Sequence, residues 1–166
     1  MGSEFAPKMS DRETQFLGRL VVQGCLDIGV LGQLERMIVE TGEGLTSIVL
    51  KLGVLSEAQL LAELAAFSGL DIVSQLPETA VAVPELNLAL LRAREVVPIA
   101  ADSRLLRIAR WDPLDAYVER ALRFSTGLTL RSVLATRGQI LDQLERLYPE
   151  PCDTDTPANH YPRRWT

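Results

Sequence analysis

The chain has 166 residues, 17 Lys and Arg against 22 Asp and Glu for a net charge of −5, 47% hydrophobic and 5% aromatic content, two cysteines and one histidine. That length holds one ordinary domain or two small ones. No window approaches the roughly 18 uninterrupted apolar residues of a membrane span, and no charged-then-apolar leader precedes a cleavage site, so the sequence reads as soluble and unexported. Cys25 and Cys152 lack C-x-x-C spacing and His160 stands alone, which removes the basis for a disulfide framework, a cysteine zinc site or a histidine triad and suits a reducing cytosol.

Residues 1–8 read as an expression-vector scar, with Met9 as the natural start. Residues 9–70 carry 4 basic and 8 acidic groups, whereas 71–148 carry 10 of each. This shift suggests two modules, and neither has the uncompensated positive charge of a nucleic-acid surface.

In 9–70 the apolar residues recur at helical spacing: Leu17, Leu20 and Val21; Leu31, Leu34 and Ile38; Leu45, Ile48, Val49 and Leu52; Leu60, Leu61, Leu64 and Phe67. Asp27 and Ser56 are N-cap candidates, Gln59 completes a capping box with Ser56, and Gly24, Gly42, Gly53 and Gly69 punctuate the ends. Four helices follow. With one single-residue slip, 17–38 and 45–67 match position for position, Leu17 on Leu45, Leu20 on Ile48, Leu26 on Leu55, Ile38 on Phe67, an internal duplication of a helical hairpin.

Residues 71–84 read as a link. A small α/β module is expected over 85–148: a helix over 85–94 started just after Pro84; strands over 96–100 and 104–109 joined by a hairpin; a helix capped by Asp112 with Pro113 as its first residue and stopped near Gly127; a strand over 128–134; and a last helix opened by Thr136 and Gln139 with Ile140, Leu141, Leu144 and Leu147 inward. The fold class is α+β, a four-helix tandem-hairpin module followed by a three-stranded sheet covered by helices. Residues 149–166, with four prolines and no apolar period, read as a linker or tail. Cys152, Asp155 and His160 there have no preformed geometry for a metal, so none is expected.

The blocks Val96-Val97-Pro98-Ile99, Leu105-Leu106-Arg107-Ile108-Ala109, Trp111-Asp112-Pro113-Leu114-Asp115, Ala121-Leu122-Arg123-Phe124-Ser125-Thr126-Gly127 and Val133-Leu134-Ala135, in that order, resemble the N-terminal region of type II secretion ATPases (general secretory pathway protein E) and related type IV pilus assembly ATPases. The resemblance spans roughly Phe16 to Tyr148. It implies a cytoplasmic domain held at the inner membrane through a partner, the cytoplasmic domain of a platform protein, and followed by the protein's own C-terminal ATPase domain, which would bind ATP and Mg. It implies neither nucleic-acid binding nor direct membrane insertion. No G-x-x-x-x-G-K-[ST] loop occurs, and Gly42-Glu43-Gly44-Leu45-Thr46-Ser47 lacks the lysine, so no catalytic residue or cofactor is expected in this segment.

Candidate partner-binding residues are Arg92, Arg94, Arg120 and Arg123, because arginine is favoured at interfaces. A branch of the resembled family binds cyclic di-GMP through openings Arg-Leu-Gly closed by Gln. Here the openings are Phe16-Leu17-Gly18 and Gly44-Leu45-Thr46, closed by Ile38 and Phe67, so Leu17, Gly18, Val21 and Leu45 are the positions an alternative, noncanonical nucleotide site would use. The apolar replacements leave phosphates and base edges unpaired. The close carboxylates Asp112 and Asp115 read as helix caps rather than an acid–base pair.

Overall fold

A computed structural model of the chain describes residues 9–149, apart from Ala82 and Pro84. The expected tail from 150 onward, with Cys152, Asp155 and His160, and the first eight residues lie outside the described residues. Four helices come first: α1 (Asp11–Val22), α2 (Ile28–Thr41), α3 (Leu45–Lys51) and α4 (Glu57–Ser68). They carry the duplication physically. Asp27 and Ser56 cap α2 and α4, Gly42 and Gly69 end those helices in the left-handed conformation, and Gly24 and Gly53 turn the chain after α1 and α3 at φ 75° and 66°. Matched positions share burial: Leu17 and Leu45, Leu20 and Ile48, and Leu26 and Leu55 are all in the core. Helix α1 packs on α4 and α2 on α3, so the two hairpins close on each other. Phe16 meets Phe67 edge to face, with ring centroids 5.4 Å apart. Helix α1 starts at Asp11, well ahead of its apolar stripe, because Ser10 and Glu13 form a capping box.

Next come α5 (Leu88–Arg94), β1 (Val96–Ala101), β2 (Leu105–Arg110), α6 (Ala116–Thr126), β3 (Thr129–Leu134) and α7 (Arg137–Leu147). The sheet runs β1-β2-β3, with β1 antiparallel and β3 parallel to β2. Asp102 makes the β1–β2 turn by accepting the backbone N–H of Arg104 at 2.7 Å and of Leu105 at 2.8 Å, which holds its carboxyl below the ordinary range. Helices α5 and α7 pack on β1 and α6 on β3. The fold is therefore α+β, with N-terminal helices and a three-stranded mixed sheet flanked by helices.

Several boundaries differ from expectation. Helix α5 begins at Leu88, capped by Asn87, and not at residue 85 as expected. Helix α6 is capped by Asp115 and not by Asp112. The reason is Arg110, only 2% exposed. Its guanidinium donates to the Asp115 carbonyl at 3.1 Å and the Pro113 carbonyl at 3.4 Å, which holds 112–115 in a turn and delays the helix. Leu141, expected inward, is 39% exposed, while Gln143 faces inward and donates to the Pro77 carbonyl. That contact belongs to a wider clamp on 71–81. Ile72 bridges Leu134 in parallel, Gln139 donates to the Ser74 carbonyl at 2.7 Å, and the Val81 N–H donates to the Tyr148 hydroxyl at 2.7 Å.

The helical tandem and the sheet region share one core. Polar contacts pin them further. Thr46 Oγ1 donates to Asp112 Oδ2 at 2.9 Å, and the Arg137 backbone N–H donates to Glu57 Oε1 at 2.6 Å. Enclosure raises the Asp112 carboxyl above its ordinary value, against the pull of its bonds from Leu114 and Thr46.

Candidate docking face

The face begins with the buried guanidinium of Arg110. Beyond its two carbonyl contacts it pairs with Glu119 Oε1 at 2.7 Å, so the first turn of α6 is tied to the end of β2. Burial lowers the Arg110 pKa, while Glu119, Asp112 and Asp115 favour its charged form. With the start of α6 fixed, helical spacing sets Tyr117, Arg120, Ala121 and Phe124 on one outward side. Phe124 is 94% exposed and Tyr117 50% exposed. Together with Asn87, the α5 cap, with Leu90 of α5 and with Ser125, these side chains line an open groove of about 630 Å³.

Arg94, at the end of α5, holds Asp115 Oδ2 at 3.1 Å and lies 4.7 Å from the Tyr117 ring centre. One guanidinium thus orients both the α6 cap and the aromatic at the rim of the groove. An exposed aromatic pair bordered by two arginines is the composition of a protein-recognition surface, since rigid rings and arginine forks carry most binding energy in such interfaces.

The four arginines singled out from sequence divide. Arg94 and Arg120 converge on this face, and both also line a neighbouring cavity of about 440 Å³ that reaches to Ser10 and Gly44. Arg92 instead turns its guanidinium to the Tyr148 carbonyl. Arg123 is exposed on α6 but falls outside the Tyr117–Phe124 spacing. The groove's two aromatics, Tyr117 and Phe124, were not among the candidates; an aromatic at i and i+7 on an otherwise polar helix side was the available signal. Of the nucleotide candidates, Leu17 and Leu45 are 2% and 0% exposed, Val21 is partly buried, and Gly18 alone is open.

The MshEN domain family matches residues 68–151, half of the chain. The chain belongs to that family. The matched residues begin at the end of α4 and include the whole sheet, α6 and the α5–α6 groove. Over 142 residues the chain is 30% identical to type II secretion system protein E of Xanthomonas campestris pv. campestris, covering 82% of this chain and 25% of that protein. The chain thus spans about a quarter of the length of the curated relative it matches. The N-terminal domain of XpsE superposes with a TM-score of 0.70 at 29% identity, over 85% of this chain and 99% of that one. MshE solved with cyclic di-GMP superposes at 0.64 and 30% identity, over 80% and 98%. This MshEN domain is therefore similar to the N-terminal domain of a type II secretion ATPase and has the domain in common with the pilus ATPase MshE.

Among the described residues no helix is long and apolar enough to cross a membrane, and no group of three or more His, Cys, Asp or Glu side chains is placed to hold a metal ion.

Proposed function

We propose that this MshEN domain is a noncatalytic adaptor that docks a secretion ATPase onto the cytoplasmic domain of an inner-membrane platform protein, and that the α5–α6 groove is its docking face. The domain's place at the N-terminus of the relatives supports an adaptor ahead of a motor. The observation that carries the site is Phe124, almost wholly in water beside the half-exposed Tyr117 on the same helix side. Leaving an aromatic ring exposed gives up about 2 kcal/mol of burial in the isolated chain, which a partner surface can recover. Arg94 and Arg120 favour an acidic or carbonyl-rich partner surface around that ring. ATP and Mg would bind in the C-terminal ATPase domain of the parent protein, and the adaptor would reach the membrane only through its partner.

Titration of the platform protein's cytoplasmic domain into the chain tests this reading. Saturable binding at or below about 10 μM, corresponding to roughly 7 kcal/mol, supports it, and a flat titration at ten times that concentration sinks it.

Cyclic di-GMP sensing is a second reading, supported by the likeness to MshE solved with that nucleotide. The buried Leu17 and Leu45 and the 8 acidic groups in 9–70 weigh against a dianionic ligand at the matching positions. Calorimetry with the dinucleotide separates the two readings: measurable heat that saturates would favour the sensor.

A further inference from the structure

The outer edge of β3 is covered at one end and open at the other. The Thr129 and Ala135 N–H groups donate to the Arg104 and Arg110 carbonyls at 2.9 and 3.1 Å, so odd-numbered residues of this strand point toward β2. Even-numbered residues point away. Leu134 spends its outward groups on the incoming link, donating to the Asp71 carbonyl at 2.7 Å and accepting from the Val73 N–H at 2.8 Å. The same alternation turns the N–H and C=O of Leu130 and Ser132 outward, and these have no partner among the described residues. Beside them lies a cavity of about 660 Å³, bounded by 69–71 on one side and by 130–133 on the other.

Two arginines border the same cavity. Arg107 and Arg131 are register partners on adjacent parallel strands, both exposed, and neither guanidinium has a hydrogen bond or ion pair among the described residues. Like charges opposed across a ladder repel, so the pair is unfavourable in the isolated chain. Of the carboxylates lining the cavity, Glu119 is held by Arg110, which leaves Asp71 to offset one of the two arginines. One positive charge remains in surplus.

We propose that this edge takes an extended acidic segment of a protein partner as an added strand, paired to Leu130 and Ser132 through its backbone and to Arg131 and Arg107 through a carboxylate. An unpaired sheet edge supplies backbone hydrogen bonds to any strand, and its side chains supply selectivity. A second copy of this edge would bring Arg131 against Arg131 and is disfavoured. A nucleotide would leave the backbone groups unused and would find no aromatic ring among the cavity's lining for its base. The site is separate from the α6 aromatics, so its loss leaves the docking reading above intact.

The test uses the full chain and a fluorescein-labelled hexapeptide, Thr-Glu-Val-Glu-Thr-Glu, with a lysine counterpart in place of the glutamates, read by fluorescence anisotropy and by amide hydrogen exchange. The glutamate peptide should bind, the lysine peptide should not, and the Leu130 and Ser132 amides should exchange more slowly in the complex. Arg107→Glu with Arg131→Glu should weaken the glutamate peptide at least tenfold and reverse the preference between the two peptides. Ser132→Pro removes an outward N–H without touching the ladder to β2 and should weaken binding independently, with thermal melting confirming that each variant folds. The proposal is overturned if the glutamate peptide fails to bind at about 1 mM, an affinity of only 4 kcal/mol. It is equally overturned if binding is unchanged in the double variant, or if the two amides exchange at the same rate with and without peptide.

Discussion

Phe16 and Phe124 occupy helices of similar length and meet opposite fates. Phe16 lies in the helical tandem with no exposed surface, its ring against Phe67. Phe124 lies on α6 of the sheet region, 94% exposed. The two hairpins of the tandem close on each other and bury Leu17 with Leu45, Leu20 with Ile48 and Leu26 with Leu55, while Val22, Ile28 and Val39 stay in water. The sheet region buries a charged guanidinium, Arg110, and leaves rings outside. Both regions leave aliphatic side chains in water, so what distinguishes the sheet region is its buried charge and its exposed aromatic rings.

Four substitutions stress this contrast, from the strongest effect to the weakest. Phe16→Ala should cost about 3–5 kcal/mol of unfolding free energy, as large-to-small changes in a closed core do, measured by urea unfolding with the slope unchanged. Arg110→Ala should cost about 2–3 kcal/mol, less than the full penalty for breaking a buried pair because Glu119 is one-third exposed and can be solvated. It should also loosen the start of α6, seen as faster amide exchange across 112–119.

The joint between the regions should respond to pH. A carboxyl raised in the folded state is ionised at a cost the unfolded chain does not bear. Asp112 therefore contributes no penalty below the ordinary aspartate range, and stability falls as pH rises from that range through its raised value. Asp112→Asn should flatten this part of the stability–pH curve while keeping the contact with Thr46. A slope of the same size in the variant would assign it to other groups. Phe124→Ala should change stability by no more than about 0.5 kcal/mol, the range for an exposed position. A larger loss would mean that the ring is structural.

The helical tandem was largely legible because its signals are local. Glycines at helix ends, caps at Asp27 and Ser56 and the repeated apolar positions each report on a few neighbouring residues. The capping box at Ser10 and Glu13 was equally local, but the apolar stripe drew attention to Leu17. The start of α6 was not legible: Asp112-Pro113 is a good local helix opening, and what overrides it is the Arg110 guanidinium, whose burial depends on the sheet. The clamp on 71–81 was hidden for the same reason, since Gln143 and Tyr148 find their partners more than sixty residues away. The geometry of the proposed face was only partly legible. Arginine type alone selected four residues, and tertiary geometry turned Arg92 inward while drawing Arg94 to Asp115 and Tyr117.

Hydrogen–deuterium exchange on the complex with the platform protein's cytoplasmic domain tests the central claim most directly. Protection concentrated on Ala116–Thr126 and Leu88–Arg94, with α1 to α4 unchanged, is the result expected of docking through the α5–α6 groove. Protection confined to α1 to α4, with α6 exchanging as in the free chain, would place the partner on the helical tandem and contradict the account.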